Sequence, residues 1–212
     1  MDKSVSKKHK RIGIIGGSFD PIHTGHLIIA EKAREEFFLE KVIFIPAGIP
    51  PHKKTTFASP YHRTEMTKIA IRDNRYFEVS DMEIKRQVPS HTYDTIRSFK
   101  KRNSEIEIFF ITGEDNFYEL KTWHRYEELV KDVVFLVAPR NSKKEKIAPK
   151  IPDLKYKFIH SPLTDISSSY IRSCLAEGKS VKYLIPEGVI KYIRRHKLYG
   201  IRRNKEESKR GV

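Results

Sequence analysis

Ile12-Gly13-Ile14-Ile15-Gly16-Gly17-Ser18-Phe19-Asp20-Pro21-Ile22-His23-Thr24-Gly25-His26-Leu27-Ile28-Ile29-Ala30 is the stretch on which the reading of this chain turns. An apolar, β-branched run ends in two glycines and gives way to a second apolar pattern, the arrangement of a strand, a tight turn and a helix. Gly16 and Gly17 let the backbone turn sharply and bring N–H groups close to a ligand with no Cβ in the way. The first turn of the helix carries unpaired N–H groups and a partial positive charge, so the junction favours an anion. His23 and His26 are three residues apart, which puts both rings on one face if the helix starts near Thr24. An imidazole donates a hydrogen bond in either charge state, so the pair suits charge developing on a phosphoryl group. The segment is neither a dinucleotide fingerprint nor a Walker loop, because GxGxxG and GxxxxGK[ST] are both absent. By itself, HxxH spacing is as compatible with helix capping or a surface position as with chemistry. It is a poor zinc site, since the single cysteine, Cys174, lies far away and no third ligand sits at a customary spacing; the expectation is no metal ligation.

Outward from this stretch, strands and helices alternate. Strands are expected over 11–16, 41–46, 76–80, 105–112, 132–138 and 155–160, and helices over 25–38, 61–72, 92–102, 126–130, 168–177 and 186–196. Val42-Ile43-Phe44-Ile45, Ile108-Phe109-Phe110-Ile111 and Val133-Val134-Phe135-Leu136-Val137 are continuously apolar, as strands covered on both faces must be. The pattern predicts an α/β fold: a Rossmann-like, doubly wound, mostly parallel sheet with a small C-terminal helical region. In that architecture ligands bind beyond the carboxyl ends of the strands. The segments 16–26, 47–53 and 112–116 all follow strands, and 167–172 opens a late helix.

The 212 residues suit one well-buried core, and a single domain over 10–200 is expected, flanked by basic tails at 1–9 and 201–212 that should be flexible. One cysteine excludes a disulfide framework and fits a reducing compartment. The basic stretch 3–11 is followed by only four apolar residues, too few for a signal peptide or a membrane span, so a cytoplasmic protein with no membrane contact is expected. The net charge of +15 would ordinarily raise nucleic acid as a partner, but residues 1–11 and 201–212 carry +4 and +3 of it. Much of the remainder lies in Arg140-Asn141-Ser142-Lys143-Lys144-Glu145-Lys146, and nucleotide ligands themselves call for positive potential.

Near the C-terminus stands Ile166-Ser167-Ser168-Ser169-Tyr170-Ile171-Arg172. Ser167 or Ser168 reads as a helix N-cap whose following N–H groups can receive a polyphosphate, and Arg172, one turn on, is a planar cation matched to phosphate oxygens.

Together the two segments resemble the (T/S)xxxH/HxGH and ISS(T/S)xIR motifs of the nucleotidylyltransferase superfamily. The chain over about 11–199 is similar to the bacterial nicotinate-nucleotide adenylyltransferases in particular. Carrying that similarity are Pro50-Pro51-His52-Lys53, Arg63 with Met66 and Ala70, Pro89-Ser90-His91-Thr92-Tyr93-Asp94-Thr95, Gly113-Glu114-Asp115-Asn116, Trp123-His124, and the ending from Val181 to Tyr199. The resemblance implies transfer of the adenylyl group of ATP to nicotinate mononucleotide, giving nicotinate adenine dinucleotide and pyrophosphate, a step of NAD biosynthesis. His23, His26 and Arg172 would be catalytic. Gly16, Gly17, Ser18, Phe19, His23 and His26 would hold the α-phosphate of ATP, and Ser168, Ser169 and Arg172 the β- and γ-phosphates. Lys53, Thr92, Asp115, Trp123 and His124 would bind the nicotinate nucleotide, with Trp123 stacked on the ring and backbone N–H groups near Trp123 and His124 orienting it. Mg²⁺ would be carried with ATP, with no tightly bound cofactor, and homo-oligomerisation is left open. Another phosphorylated acceptor, or an RNA-binding role for the same fold, are the alternatives. Glu114 departs from the family pattern, placing an extra carboxylate beside Asp115 near a site for an anionic ring.

Overall fold

The computed structural model describes residues 10–50, 56–102, 105–140, 148–162 and 165–200. Six strands, β1 (Lys10–Gly17), β2 (Lys41–Pro46), β3 (Phe77–Val79), β4 (Ile106–Gly113), β5 (Val134–Ala138) and β6 (Lys155–Phe158), form one sheet in the order β3-β2-β1-β4-β5-β6. Every pairing is parallel, so the expected mostly parallel sheet is parallel throughout. The order reverses between β1 and β4, and the crevice at their carboxyl ends is the place where such sheets bind ligands.

Alternation along the strands divides the core in two. Ile15, Val42, Phe44, Phe109, Ile111 and Leu136 face α1 (Thr24–Glu36), α2 (Pro60–Ile71), α7 (Ser168–Ala176) and α8 (Glu187–Arg195). Ile12, Ile14, Ile43, Ile45, Ile108, Phe110 and Phe135 face α4 (Thr92–Arg102), α5 (Glu114–Tyr118) and α6 (Tyr126–Asp132). Burial on both faces explains why these strands read as unbroken apolar runs. The two C-terminal helices, α7 and α8, close the first layer through Ile171, Leu175, Val189 and Ile193.

Two short helices were not expected: α3 (Met82–Arg86) and α5, each of five residues. The fifth strand also starts later than its apolar run implied, because Asp132 completes α6 and its carboxylate takes the Lys100 ammonium at 2.7 Å. Gly48, just beyond β2, is where α3 presses closest. A Cβ there would stand 2.4 Å from the Glu83 carbonyl oxygen, so only glycine lets the loop pass. Among the described residues no helix is long and apolar enough to cross a membrane.

Candidate active site

β1 delivers Gly16 and Gly17 to the carboxyl edge of the sheet, and the chain then turns through Ser18–Ile22 into α1. Phe19 takes a left-handed backbone (φ 47°), a conformation that costs of order 1–3 kcal/mol for a residue with a side chain. Its ring is only 1% exposed, and burial of such a ring, roughly 1.5–3 kcal/mol, offsets that strain. The ring props His26 edge-on at 5.1 Å between centroids.

His23 is the N-cap of α1 and His26 lies in its first turn, as the spacing implied; their rings stack at 3.6 Å. The His23 backbone N–H donates to His26 Nδ1 at 3.2 Å. An accepting Nδ1 in the neutral ring leaves the proton on Nε2, so His26 keeps a donor for a ligand without being charged. His23 is almost fully buried, and its Nδ1 has no hydrogen-bond partner among the described residues. An unpaired buried polar atom is costly by about 1–3 kcal/mol. Burial, and then the positive charge of Arg140, bring the His23 pKa down to about 4. His26 is held well below the ordinary histidine range by burial, then by His23 and Arg140. Both rings are therefore neutral at neutral pH.

The late motif meets this loop directly. Ser167 caps α7, accepting from the Tyr170 N–H at 3.2 Å, which resolves the choice between Ser167 and Ser168. Ser168 Oγ donates to the Pro21 carbonyl at 2.9 Å. Arg172 donates through Nη1 to the Asp20 carbonyl at 2.7 Å and through Nη2 to Ser169 Oγ at 3.0 Å. Residues about 150 positions apart thus form one cluster, with a helix N-terminus and an arginine beside two histidines.

Beneath the cluster lies a scaffold that local sequence reading did not single out. The Asp20 carboxylate, 2% exposed, accepts from Phe57 N–H (2.8 Å), Ala58 N–H (3.1 Å) and Tyr199 Oη (2.8 Å). The fully buried Arg63 donates to the carbonyls of Ser18 (2.7 Å), Ala47 (2.6 Å), Gly48 (3.2 Å) and Ala58 (3.3 Å), tying the β1–α1 loop to the β2–α2 loop. Each buried charge is met by groups of complementary polarity, carbonyls for Arg63 and N–H and O–H donors for Asp20. The cis Asp20-Pro21 bond belongs to the same turn.

Of the residues expected to bind the acceptor, Thr92, Asp115, Trp123 and His124 fall between β3 and β5 in the chain. Thr92 opens α4, and the exposed His124 ring stands 4.5 Å from that of His91. Trp123 is half-buried, edge-on to Phe110 (5.8 Å) and Phe135 (6.4 Å), so it combines a core contact with an accessible face. Its N–H is taken by the Leu120 carbonyl at 3.0 Å, which removes that amide from the expected ring-orienting set. Asp115 is turned to Arg140, Oδ2 to Nη1 at 2.6 Å. Glu114 accepts from Arg140 N–H (2.9 Å) and Tyr118 Oη (3.1 Å). The unexpected carboxylate is therefore engaged in fastening the end of β5 to α5. Arg140, read from the sequence only as part of a basic loop, links the two halves: it pairs with Asp115 and shifts both histidines. Lys53 lies outside the described residues, as do the tails. No group of three His, Cys, Asp or Glu converges to hold a metal ion among the described residues.

A family model for cytidylyltransferase-like proteins matches residues 14–174. The chain is 42% identical to a "probable nicotinate-nucleotide adenylyltransferase" of Exiguobacterium sibiricum, over 89% of this chain and 98% of that protein. It is 43% identical to one from Desulfitobacterium hafniense (strain Y51), over 93% of this chain and all of the relative. Among solved structures, the Plasmodium falciparum nicotinic acid mononucleotide adenylyltransferase complexed with NaAD superposes with a TM-score of 0.79 at 26% identity, covering 92% of this chain and 99% of that one. With matched motifs, a matched fold and relatives aligned nearly end to end, the chain belongs to the nicotinate-nucleotide adenylyltransferase family of nucleotidyltransferases.

Proposed function

We propose that this enzyme transfers the adenylyl group of ATP to nicotinate mononucleotide, releasing nicotinate adenine dinucleotide and pyrophosphate, as a step of NAD biosynthesis. The observation that carries the reading is the neutral, stacked His23–His26 pair, in a turn whose Asp20 and Pro21 carbonyls are bonded by Arg172 and Ser168 of α7. A 5′-phosphate oxygen of the acceptor attacks the α-phosphorus as the bond from that phosphorus to the bridging oxygen breaks, and pyrophosphate departs with the electron pair. No enzyme nucleophile and no proton transfer are needed, so rate comes from positioning and electrostatics.

His26 Nε2–H and the backbone N–H groups of Gly17–Phe19 meet the α-phosphate, and His23 offers the second ring at the same point. Gly16 leaves room for the approach. The α7 N-terminus with Ser168, Ser169 and Arg172 receives the departing β- and γ-phosphates. Thr92, Trp123 and His124 bind the acceptor's base, with Asp115 reached through Arg140 and Lys53 contributing from beyond β2. Mg²⁺ carried on the ATP phosphates would offset their charge.

Pyrophosphate release from ATP and Mg²⁺ tests the reading, with nicotinate mononucleotide, nicotinamide mononucleotide and phosphopantetheine run in parallel. Rapid release with the first and slow release with the others is expected. Release with none of them overturns the acceptor assignment, and equal rates with the two mononucleotides overturn the preference for the acid.

A further inference from the structure

Phe57 is 72% exposed, yet its ring has a charged partner. Its ring covers one face of the Arg172 guanidinium, with Cζ 4.2 Å from the ring centroid. Both partners are fixed by a single residue: the Phe57 N–H donates to the Asp20 carboxylate at 2.8 Å, and Arg172 Nη1 donates to the Asp20 carbonyl at 2.7 Å. The three residues form a closed triangle whose sides are two hydrogen bonds and a cation–π contact. An exposed phenylalanine is otherwise an apolar surface left in water with no return in burial.

We propose that Phe57 is a positioning residue, an aromatic plate that holds the Arg172 guanidinium in the plane from which it meets the departing pyrophosphate. The inference rests on the adenylyl-transfer reading for the role of Arg172. Geometry makes the stack and the phosphate contact compatible. Arginine recognises phosphate through N–H groups at its planar edge, whereas the aromatic ring occupies a face. Of the five guanidinium N–H groups, the bonds to the Asp20 carbonyl and Ser169 Oγ use two, so the edge retains donors for phosphate oxygens while the face is covered. A long, flexible side chain held in one plane before the nucleotide arrives loses less freedom on binding it. The loop that follows β2, through 56–58, thereby bears on the nucleotide side of the site.

The test is ATP binding by calorimetry on the full chain, comparing wild type, Phe57→Leu, Phe57→Trp, Arg172→Ala and the Phe57→Leu/Arg172→Ala double variant. Leucine keeps an apolar side chain and removes the ring quadrupole. An exposed cation–π contact corresponds to roughly a two- to fivefold change in affinity, so Phe57→Leu should weaken ATP by that factor and Phe57→Trp should restore or exceed wild type. In the Arg172→Ala background the leucine substitution should have no further effect. In turnover, KM for ATP should rise while KM for the acceptor stays unchanged. Wild-type affinity in Phe57→Leu, or an equal loss in the Arg172→Ala background, overturns the proposal. So does an equal rise in acceptor KM, which would mark a loop effect rather than an action on Arg172. Because ATP affinity is read without any acceptor, a wild type that binds ATP but releases no pyrophosphate sinks the acceptor assignment and leaves the stack to be judged on its own. Melting temperatures of the Phe57 variants should match wild type, since the ring is mostly in water.

Discussion

Lowering the pH should unfold this protein partly through one residue, His23. Its pKa is about 4 in the folded state against an ordinary 6.5. Above pH 6.5 neither the folded nor the unfolded chain protonates it, and its contribution is constant. As pH falls below 6.5 the unfolded chain takes up a proton that the folded chain refuses until about pH 4, so stability is lost across that window. A gap of about 2.5 pK units, at 1.36 kcal/mol each, amounts to about 3 kcal/mol, a large part of the roughly 5–15 kcal/mol typical of a domain. The physical source is desolvation of the buried ring, reinforced by Arg140. Urea unfolding at intervals between pH 7.5 and 4 should show this loss in wild type. His23→Gln cannot titrate there and should show a curve shallower by about 3 kcal/mol over the window. His26, which the variant keeps, acts in the same direction, and carboxylates that protonate at the acid end contribute equally to both proteins. Parallel pH profiles for wild type and His23→Gln would refute the reasoning, because they would mean the ring is hydrated and titrates normally.

Three further substitutions test the structure. His26→Ala should lower turnover by roughly 10²–10³, the usual effect of losing one preorganised donor at developing charge, and stopped-assay rates with saturating substrates would check it. Tyr199→Phe deprives the buried Asp20 carboxylate of one of its three donors and should cost about 1.5–3 kcal/mol in urea unfolding. The same substitution should remove a loss of stability above pH 10: burial, with Asp20 close by, raises the Tyr199 pKa, so the unfolded chain ionises first as pH climbs. Gly48→Ala drives a methyl to 2.4 Å from the Glu83 carbonyl and should destabilise by about 1–3 kcal/mol in thermal unfolding, with α3 shifted away from the loop.

The centre of the sheet was legible because β1, β2, β4 and β5 are buried on both faces, and burial on both faces writes an unbroken apolar run such as Ile108-Phe109-Phe110-Ile111. The first helix was legible in its chemistry too: the i, i+3 spacing of His23 and His26 is a local geometric fact once the helix begins at Thr24. What escaped was of two kinds. Five-residue helices such as α3 and α5 complete barely one turn, too short to write a periodic signal, and α6 kept Asp132 through a contact with Lys100 from another helix. The scaffold of the site escaped because its bonds run between distant segments: Arg63 reaches Ser18, and Tyr199 reaches Asp20. Trp123 shows the limit of single-residue reading, since it packs on Phe110 and Phe135 while the residue remains partly exposed.

The hydrogen bond from Tyr199 to Asp20 joins residues 179 positions apart. During synthesis, the glycine turn, both histidines and the serine–arginine helix leave the ribosome well before the hydroxyl that helps anchor the turn among them. The candidate site is thus completed after the sheet that supports it. A nonsense codon at 199 would spare every residue of the two motifs and still leave the phosphate loop loosened. A change at residue 199, outside both motifs, is therefore a change to the scaffold of the candidate site.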